Sequence, residues 1–534
     1  MKREFDQLRG GPFDLLVVGG GIYGAWTAYD AALRGLRVAL VERDDWASGT
    51  SSASSKLIHG GLRYLEHGEL GLVRKTLDER RRLARLGPHR VRPLRFLMPV
   101  YRGDRVGRFR LRVGLLFYDR LAGGRQPVAP HRALGPRELL GLIDIEPAGL
   151  RGGFAFGDCR TDDARLVVEI VDGAFHAGAV TVNRATAREL IVENGRAVGA
   201  VVEDREGGST LEVRALATVA TAGPWIGGLA ASAGISETVT PRLTKGVHLV
   251  LPSLGIDDAF VISSNDDARI VFLIPWYGRT LFGTTDTDYD GDPADVRVEP
   301  QDVAYLLERL RRVLRGVSWT ESDIIASFAG LRSLPATDDR DPSSVAREWI
   351  LTEPLEGLYV PVGGKLTSAR ADAADLVDRV VRRAGWTPRR SPTTDLPFPW
   401  CPLGPFDDWL DRTIGEAVRL GLDEKTARVC ALRFGSRTER IFERIRATPD
   451  LARRIVPDAP FCRAEIAQAV DEEMARSLED LLRRRVPLLL TSRVDQDTLQ
   501  QVARIAGERL GWDESRRRAE VEALSGSGRE APVR

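Results

Sequence analysis

An apolar run at residues 14–18 leads into Gly19-x-Gly21-x-x-Gly24. A helix-like segment follows over 25–34, stopped by Gly35, and a second apolar run at 38–41 ends on Glu42. Strand, glycine turn, helix and strand in that order make a βαβ unit, and parallel strands joined by a crossover helix require a sheet covered on both faces. The opening 42 residues therefore commit the chain to an α/β, Rossmann-like fold. The glycines have separable tasks: Gly19 permits the tight turn, Gly21 lets backbone approach a pyrophosphate, and Gly24 lets helix and strand pack closely. Glu42 follows 18 residues after Gly24, where a carboxylate accepts from both ribose hydroxyls and repels a 2′-phosphate.

Further along, strand patterns at 187–192 and 197–203 flank Asn194-Gly195, a strong hairpin signal, and a third strand pattern covers 210–214. The run 215–236 is uncharged and long enough to span a bilayer, but Gly223-Pro224 breaks it, so it reads as strand, turn and helix. Strand patterns recur at 246–251, 259–263, 270–275 and 280–285, with a helix near 301–314. A buried-strand pattern at 358–362 precedes Gly363-Gly364-Lys365 and a helix reaching about residue 383. Past a Pro-rich stretch at 392–405 the pattern is helical.

The expected architecture is a Rossmann-like nucleotide-binding domain with an inserted antiparallel-sheet substrate domain, plus an all-α C-terminal domain. The first region covers residues 13–390, with nucleotide-binding segments at about 13–100, 150–240 and 330–390 and sheet segments at about 100–150 and 241–330. The helical domain covers 400–523, and 524–534 is expected to be a disordered tail. At 534 residues and 43% hydrophobic composition, the chain can bury several cores. A net charge of +1 argues against a globally electrostatic nucleic-acid binder. Cys159, Cys401, Cys430 and Cys462 lie far apart without metal-ligand spacing, so no metal site and no disulfide framework is expected. The amino end has no apolar stretch of the kind a signal peptide needs, and a cytoplasmic setting is expected.

The βαβ unit alone leaves FAD and NAD both open. Ser51 to Ser55 followed by Lys56 is a run of small hydroxyl donors that reads equally as a polar loop or as one wrapping a cofactor. The Gly363-Gly364-Lys365 turn offers a helix start whose free N–H groups suit a reduced flavin, or an ordinary strand-to-helix turn.

The stretch from Ser51 through Lys56-Leu57-Ile58-His59-Gly60-Gly61-Leu62-Arg63-Tyr64 to His67 closely resembles the signature of FAD-dependent glycerol-3-phosphate dehydrogenases. The likeness extends to Lys245-Gly246-Val247-His248, Gly283-Thr284-Thr285-Asp286, Ala329-Gly330-Leu331-Arg332 and Gly363-Gly364-Lys365-Leu366-Thr367, and the helical tail resembles the family's C-terminal domain. At Thr221-Ala222-Gly223-Pro224 the chain departs from the more usual Ala-Thr-Gly-Pro.

The resemblance implies a D-amino-acid-oxidase-like fold, FAD as cofactor, and oxidation of sn-glycerol 3-phosphate to dihydroxyacetone phosphate with electrons passed to a membrane quinone. It implies FAD contacts from Gly19, Gly21, Gly24, Glu42, Ser54, Ser55, Lys56, Gly223, Gly364, Lys365, Leu366 and Thr367. Arg63, Tyr64, Arg332 and Arg347 are the implied substrate contacts, and His248, Arg332 and Lys365 the catalytic group. Outside the motif, His248 would read as an interior histidine; within it, an imidazole able to accept the alcohol proton. Any one arginine in so arginine-rich a chain is by default a surface ion pair, and the motif context is what singles out Arg63 and Arg332. Lys365 serves either substrate or reduced flavin.

Arg102, Arg105, Arg108, Arg110 and Arg112 interleave with Val106, Phe109, Leu111 and Val113 before Leu115-Leu116-Phe117. That mixture suits either a peripheral contact with an anionic bilayer or an ordinary solvated face. A homodimer is a further expectation. Competing readings are an oxygen-using glycerol-3-phosphate oxidase, an amino- or hydroxy-acid oxidase on the same scaffold, and a non-catalytic flavin-binding interaction protein.

Overall fold

The computed structural model describes residues 1–66, 68–235, 240–263, 270–336, 349–387 and 389–525. Strand β1 (Phe13–Val18), helix α1 (Ile22–Leu33) and strand β2 (Val38–Val41) form the opening unit. β1 lies parallel between β2 and the strand Thr210–Ala220, with Val18 opposite Val41 on one side and Ala220 on the other. Alternation along β1 serves both faces of the sheet. Leu15 and Val17 pack among α1 and the helices Asp163–His176 and Ala369–Arg383, while Leu16 and Val18 pack against the ribbon strands and the helix Ile226–Ala231. Each such buried side chain contributes about 1.5–3 kcal/mol relative to exposure.

The predicted hairpin forms from Ala185–Glu193 and Arg196–Asp204, and Asn194 and Gly195 both take positive φ, as a two-residue turn of this kind requires. Thr210–Ala220 is one continuous strand where the sequence suggested two. It runs from the ribbon into the parallel sheet, so burial alternates as far as Leu216 and is continuous from Ala217 to Ala220.

A second sheet covers the first domain's ligand edge. Arg242–Leu251 pairs antiparallel with Arg279–Gly283 and Ala326–Leu334, a register that sets His248 opposite Gly283 and Phe328, and Thr244 opposite Arg332. Arg92–Tyr101 and Leu150–Arg160 pair with each other in this same sheet. Both fall almost wholly within the expected nucleotide-binding segments, 13–100 and 150–240, rather than in the expected sheet segments. Pro93 and Pro99 lie within the first of them and mask its alternation, since proline is uncommon in paired strands. Helices α2 (Leu70–Leu86) and α3 (Arg108–Ala122) pack on each other beside this sheet.

From Phe406–Arg419 to Glu514–Ser525 the chain is helical, with an isolated bridge between Arg454 and Cys462. The last helix includes Leu524 and Ser525, and the rest of the expected tail, 526–534, lies outside the described residues. Buried ion pairs fasten this domain to the first: Asp45 receives Arg484 at 2.6 Å and Arg485 at 2.7 Å, and Asp162 receives Arg433 at 3.2 Å. Such pairs gain little net stability over an apolar contact but are costly to break singly. Among the described residues no helix is long and apolar enough to cross a membrane, and no three His, Cys, Asp or Glu side chains gather to hold a metal.

Candidate active site

The glycine turn is built by close approach. A Cβ on Gly24 would stand 1.9 Å from the Gly19 carbonyl oxygen, and one on Gly19, whose φ is +110°, would stand 2.6 Å from the Thr221 oxygen. Thr221, in the place where the sequence departs from the family pattern, donates its hydroxyl to the Val18 and Gly19 carbonyls at 3.0 and 2.9 Å and braces the turn. Glu42 sits at the end of β2 as expected, but it also shapes the turn: its carboxylate accepts from Gly20 N at 2.6 Å and Asp44 N at 2.8 Å. Burial pushes that carboxyl above its ordinary value. Carboxylate oxygens have spare lone pairs, and Glu42 lines the adjoining cavity.

The Ser51–Lys56 loop divides into two faces. Ser51 Oγ accepts from Ile22 N at the start of α1, at 2.9 Å. Ser54 lines the cleft, yet its hydroxyl is committed to Asp163 at 2.7 Å and accepts from Lys56 N. Lys56 was expected among the cofactor contacts. Its ammonium turns into the interior, donating to Asp163 at 2.7 Å and to the Ser52 carbonyl at 3.1 Å, beneath the rings of Trp276 and Phe328. A buried ammonium needs a carboxylate partner, and Asp163 is the one the fold supplies.

The second glycine turn is fixed from α1. Tyr23 donates to Asp372 at 2.6 Å and accepts from Lys365 N at 3.2 Å. A Cβ on Gly364 would stand 1.7 Å from the same hydroxyl. Thr367 Oγ1 accepts from His59 N at 3.1 Å, joining this turn to the His59-Gly60-Gly61 segment. Leu366 lines the cleft, and Gly223, at φ +54°, lines it from the opposite side.

His248 projects from the second sheet. Its Nε2 lies 2.9 Å from Ser55 Oγ, and its ring stacks on Phe328 with centroids 5.0 Å apart. Burial, then the charges of Arg332 and Lys56, hold the imidazole well below its ordinary value, so it is neutral at pH 7. Arg332 donates to Asp286 and Thr284, both at 3.1 Å, and occupies space that a side chain at Gly246 would fill. Lys365 Nζ stands 3.3 Å over the Tyr64 ring centroid. Arg63 is carried by the turn Leu62–Leu65, but its side chain lies outside the described residues, as does the whole of Arg347.

These groups line one trough. A cavity of about 330 Å³ holds Glu42, Thr186 and Trp225. The next, about 320 Å³, holds His248, Arg332, Tyr64 and the Gly363–Thr367 turn, and the two share Gly21, Thr50, Ser51, Thr221 and Gly223. A third of about 180 Å³ shares His59, Tyr64, Thr284 and Arg332 and continues between Phe96, Met98, Val100 and Leu111. Four residues that line this trough each carry a buried polar atom with no hydrogen-bond partner among the described residues: Trp225 Nε1 and Thr186 Oγ1 at one end, Ser333 Oγ and His248 Nδ1 at the other. Native interiors rarely leave such groups unmet. An elongated polar ligand lying past the glycine cradle fits all four.

A family model described as FAD dependent oxidoreductase matches residues 14–369, and one described as C-terminal domain of alpha-glycerophosphate oxidase matches 403–517. The chain is 33% identical to glycerol-3-phosphate dehydrogenase of Synechocystis sp. over 96% of its length and 95% of that protein's, and 34% identical to aerobic glycerol-3-phosphate dehydrogenase of Bacillus subtilis over 96% and 94%. The chain belongs to the FAD-dependent glycerol-3-phosphate dehydrogenase family. The crystal structure of the glycerol-3-phosphate dehydrogenase from Bacillus halodurans, complexed with FAD, superposes with a TM-score of 0.78 at 28% identity, covering 97% of this chain and 96% of that one.

As a member of that family the chain takes FAD, and the glycine cradle and the orphaned polar groups of Trp225, Thr186 and Ser333 are what this structure offers it. Among the trough residues left without a role by sequence reasoning are His59 and Thr284, which each line two of its cavities. His59 and Thr284 lie inside the motifs that carry the family likeness, so a signal was present, but only the fold shows which motif residues reach the cleft.

Proposed function

We propose that this chain oxidises sn-glycerol 3-phosphate to dihydroxyacetone phosphate and delivers the electrons to a membrane quinone. The observation that carries the substrate reading is the convergence of Arg332, Lys365, Tyr64 and a neutral His248 on one cavity at the inner end of the dinucleotide trough. Bound FAD supplies a hydride acceptor. The protein's own task is to take the alcohol proton and hold the phosphate.

His248 fits the first task. With Nε2–H donated to Ser55 Oγ, the lone pair is left on Nδ1, the ring atom that has no partner among the described residues. The depressed imidazole value keeps that lone pair available at neutral pH. Arg332 fits the second task, since Asp286 and Thr284 hold its fork in one orientation and a planar fork binds phosphate oxygens in pairs. Lys365, braced against Tyr64, adds a second cation at the same cavity. Arg63 and Arg347 complete the proposed phosphate grip on the strength of the motif alone.

Support for the quinone reading is the apolar continuation of the trough. From Arg332 and His59 it runs between Phe96, Met98, Val100 and Val106 to Leu111 on α3. The same helix exposes Phe109 at 82%, Phe117 at 58% and Leu116 at 50% among its arginines. Aromatic and apolar side chains beside cations favour an anionic bilayer surface, which gives a lipid-soluble acceptor a route to the flavin and makes the protein peripheral to the membrane.

The test is anaerobic mixing of the yellow holoenzyme with glycerol 3-phosphate, followed by quinone or by oxygen. Bleaching by the substrate and faster recovery with quinone are expected. Absence of bleaching removes the substrate assignment, and faster recovery with oxygen makes the chain an oxidase.

A further inference from the structure

The turn Asp480–Arg485 is π-helical and carries three successive arginines, and single π-helical turns occur often at functional sites. Two of the three are closely paired through their terminal nitrogens, although Arg485 Nε is itself without a hydrogen-bond partner among the described residues. Arg484 donates to Asp45 and Asp480, each at 2.6 Å, and Arg485 donates to both oxygens of Asp45 and to the Glu473 carbonyl. Arg483 is different. Its side chain is only 6% exposed, its Nε has no hydrogen-bond partner among the described residues, and its one ion pair there, to Glu479, is 3.5 Å long. Burial lowers this guanidinium to about 10. Buried charge that is neither paired closely nor hydrogen-bonded is costly, which makes the side chain a ligand-seeking group.

Arg483 stands in the wall of a cavity of about 800 Å³ between the hairpin ribbon of the first domain and the C-terminal helices, and this cavity shares no lining residue with the trough. Arg184, Arg205, Arg476 and Arg516 also line it, each already matched to a carboxylate. Glu206, Glu479 and Glu520 share this wall, so the four are paired guanidiniums around one, Arg483, whose charge the described side chains match weakly. Trp512, half-buried on the same wall, presents an aromatic surface. The volume falls within the usual range for small-metabolite sites.

We propose that this interdomain cavity is a second ligand site, separate from the active site, that takes a phosphate-bearing small molecule anchored on Arg483. Phosphate oxygens accept from the Nε–H and Nη–H of a guanidinium together. The ligand bridges the two domains through the rim arginines, and a ring attached to the phosphates packs on Trp512.

Isothermal titration of the full-length, FAD-loaded protein with inorganic pyrophosphate, and separately with ATP, tests this. One saturable site per chain is expected for at least one probe. Arg483→Gln weakens it at least tenfold without lowering the thermal midpoint, because the substitution removes a buried charge. Glu479→Gln, which removes the competing carboxylate, tightens it several-fold, and Arg332→Gln in the active site leaves it unchanged. Tighter binding of ATP marks a nucleotide ligand, and tighter binding of pyrophosphate marks a phosphate without a stacking base. The proposal is overturned if neither probe saturates, if Arg483→Gln binds as well as the parent, or if Arg332→Gln abolishes the site.

Discussion

Ser55 Oγ lies 2.9 Å from Nε2 of His248, so the loop after β2 and the strand Arg242–Leu251 of the second sheet meet at the imidazole. The other ring nitrogen, Nδ1, has no hydrogen-bond partner among the described residues. His248→Ala is expected to slow anaerobic flavin reduction by about 100- to 10,000-fold, the usual contribution of a positioned base, with a much smaller change in substrate binding. Stopped-flow reduction across a range of substrate concentrations separates the two effects. Should His59→Ala abolish reduction while His248→Ala leaves its rate intact, the base is His59.

The pH dependence has a definite sign. His248 titrates lower in the folded protein than in the unfolded chain, where imidazole lies near about 6.5. Substrate-driven flavin reduction is therefore expected to stay level down to about pH 6.5 and to fall only below it. Stability follows the same direction: the contribution from keeping the ring neutral is full above about 6.5 and is lost as pH falls from there toward the folded value, because the unfolded state binds the proton first. An acid limb of the reduction rate centred above 6.5 contradicts this.

Asp163→Asn strands the buried ammonium of Lys56 and frees the Ser54 hydroxyl. Breaking one side of a buried pair typically costs about 3–5 kcal/mol. A lower thermal midpoint and weaker FAD retention should appear together, and Lys56→Met in the same background is expected to recover part of the midpoint. An unchanged midpoint in Asp163→Asn means that the pair does not hold the loop.

Gly24→Ala places a methyl group 1.9 Å from the Gly19 carbonyl oxygen. The Gly19 backbone cannot yield and the Thr221 hydroxyl stands 2.8 Å away, so the purified variant should lack most of its flavin absorbance. Recovery of a fully yellow protein would show that the cradle adapts.

Replacing Phe109, Leu116 and Phe117 together with Asp tests the membrane reading. All three are exposed on α3, so folding and substrate-driven flavin reduction should be unaffected. Co-sedimentation with anionic vesicles should fall at least tenfold and reoxidation by vesicle-borne quinone should slow. Equal sedimentation of variant and parent refutes the proposed contact.

Local pattern made much of the first domain legible. The glycine spacing, the apolar runs of β1 and β2 and the Asn194-Gly195 hairpin each depend on neighbours within a few residues, and each formed within a few residues of where the pattern placed it. The strand Arg92–Tyr101 was less legible, because two prolines interrupt a period that sheet pairing nevertheless tolerates.

By itself, then, the sequence determined the nucleotide fold and, through the motif likeness, the family and its cofactor. Only the tertiary structure decided what each motif residue does with its side chain. Lys56 turns inward because Asp163, 107 residues later in the chain, waits there with a buried carboxylate. His248 is held neutral by burial against the second sheet and then by the charges of Arg332 and Lys56. Both outcomes depend on burial and on charges distant in sequence, and no local spacing encodes either.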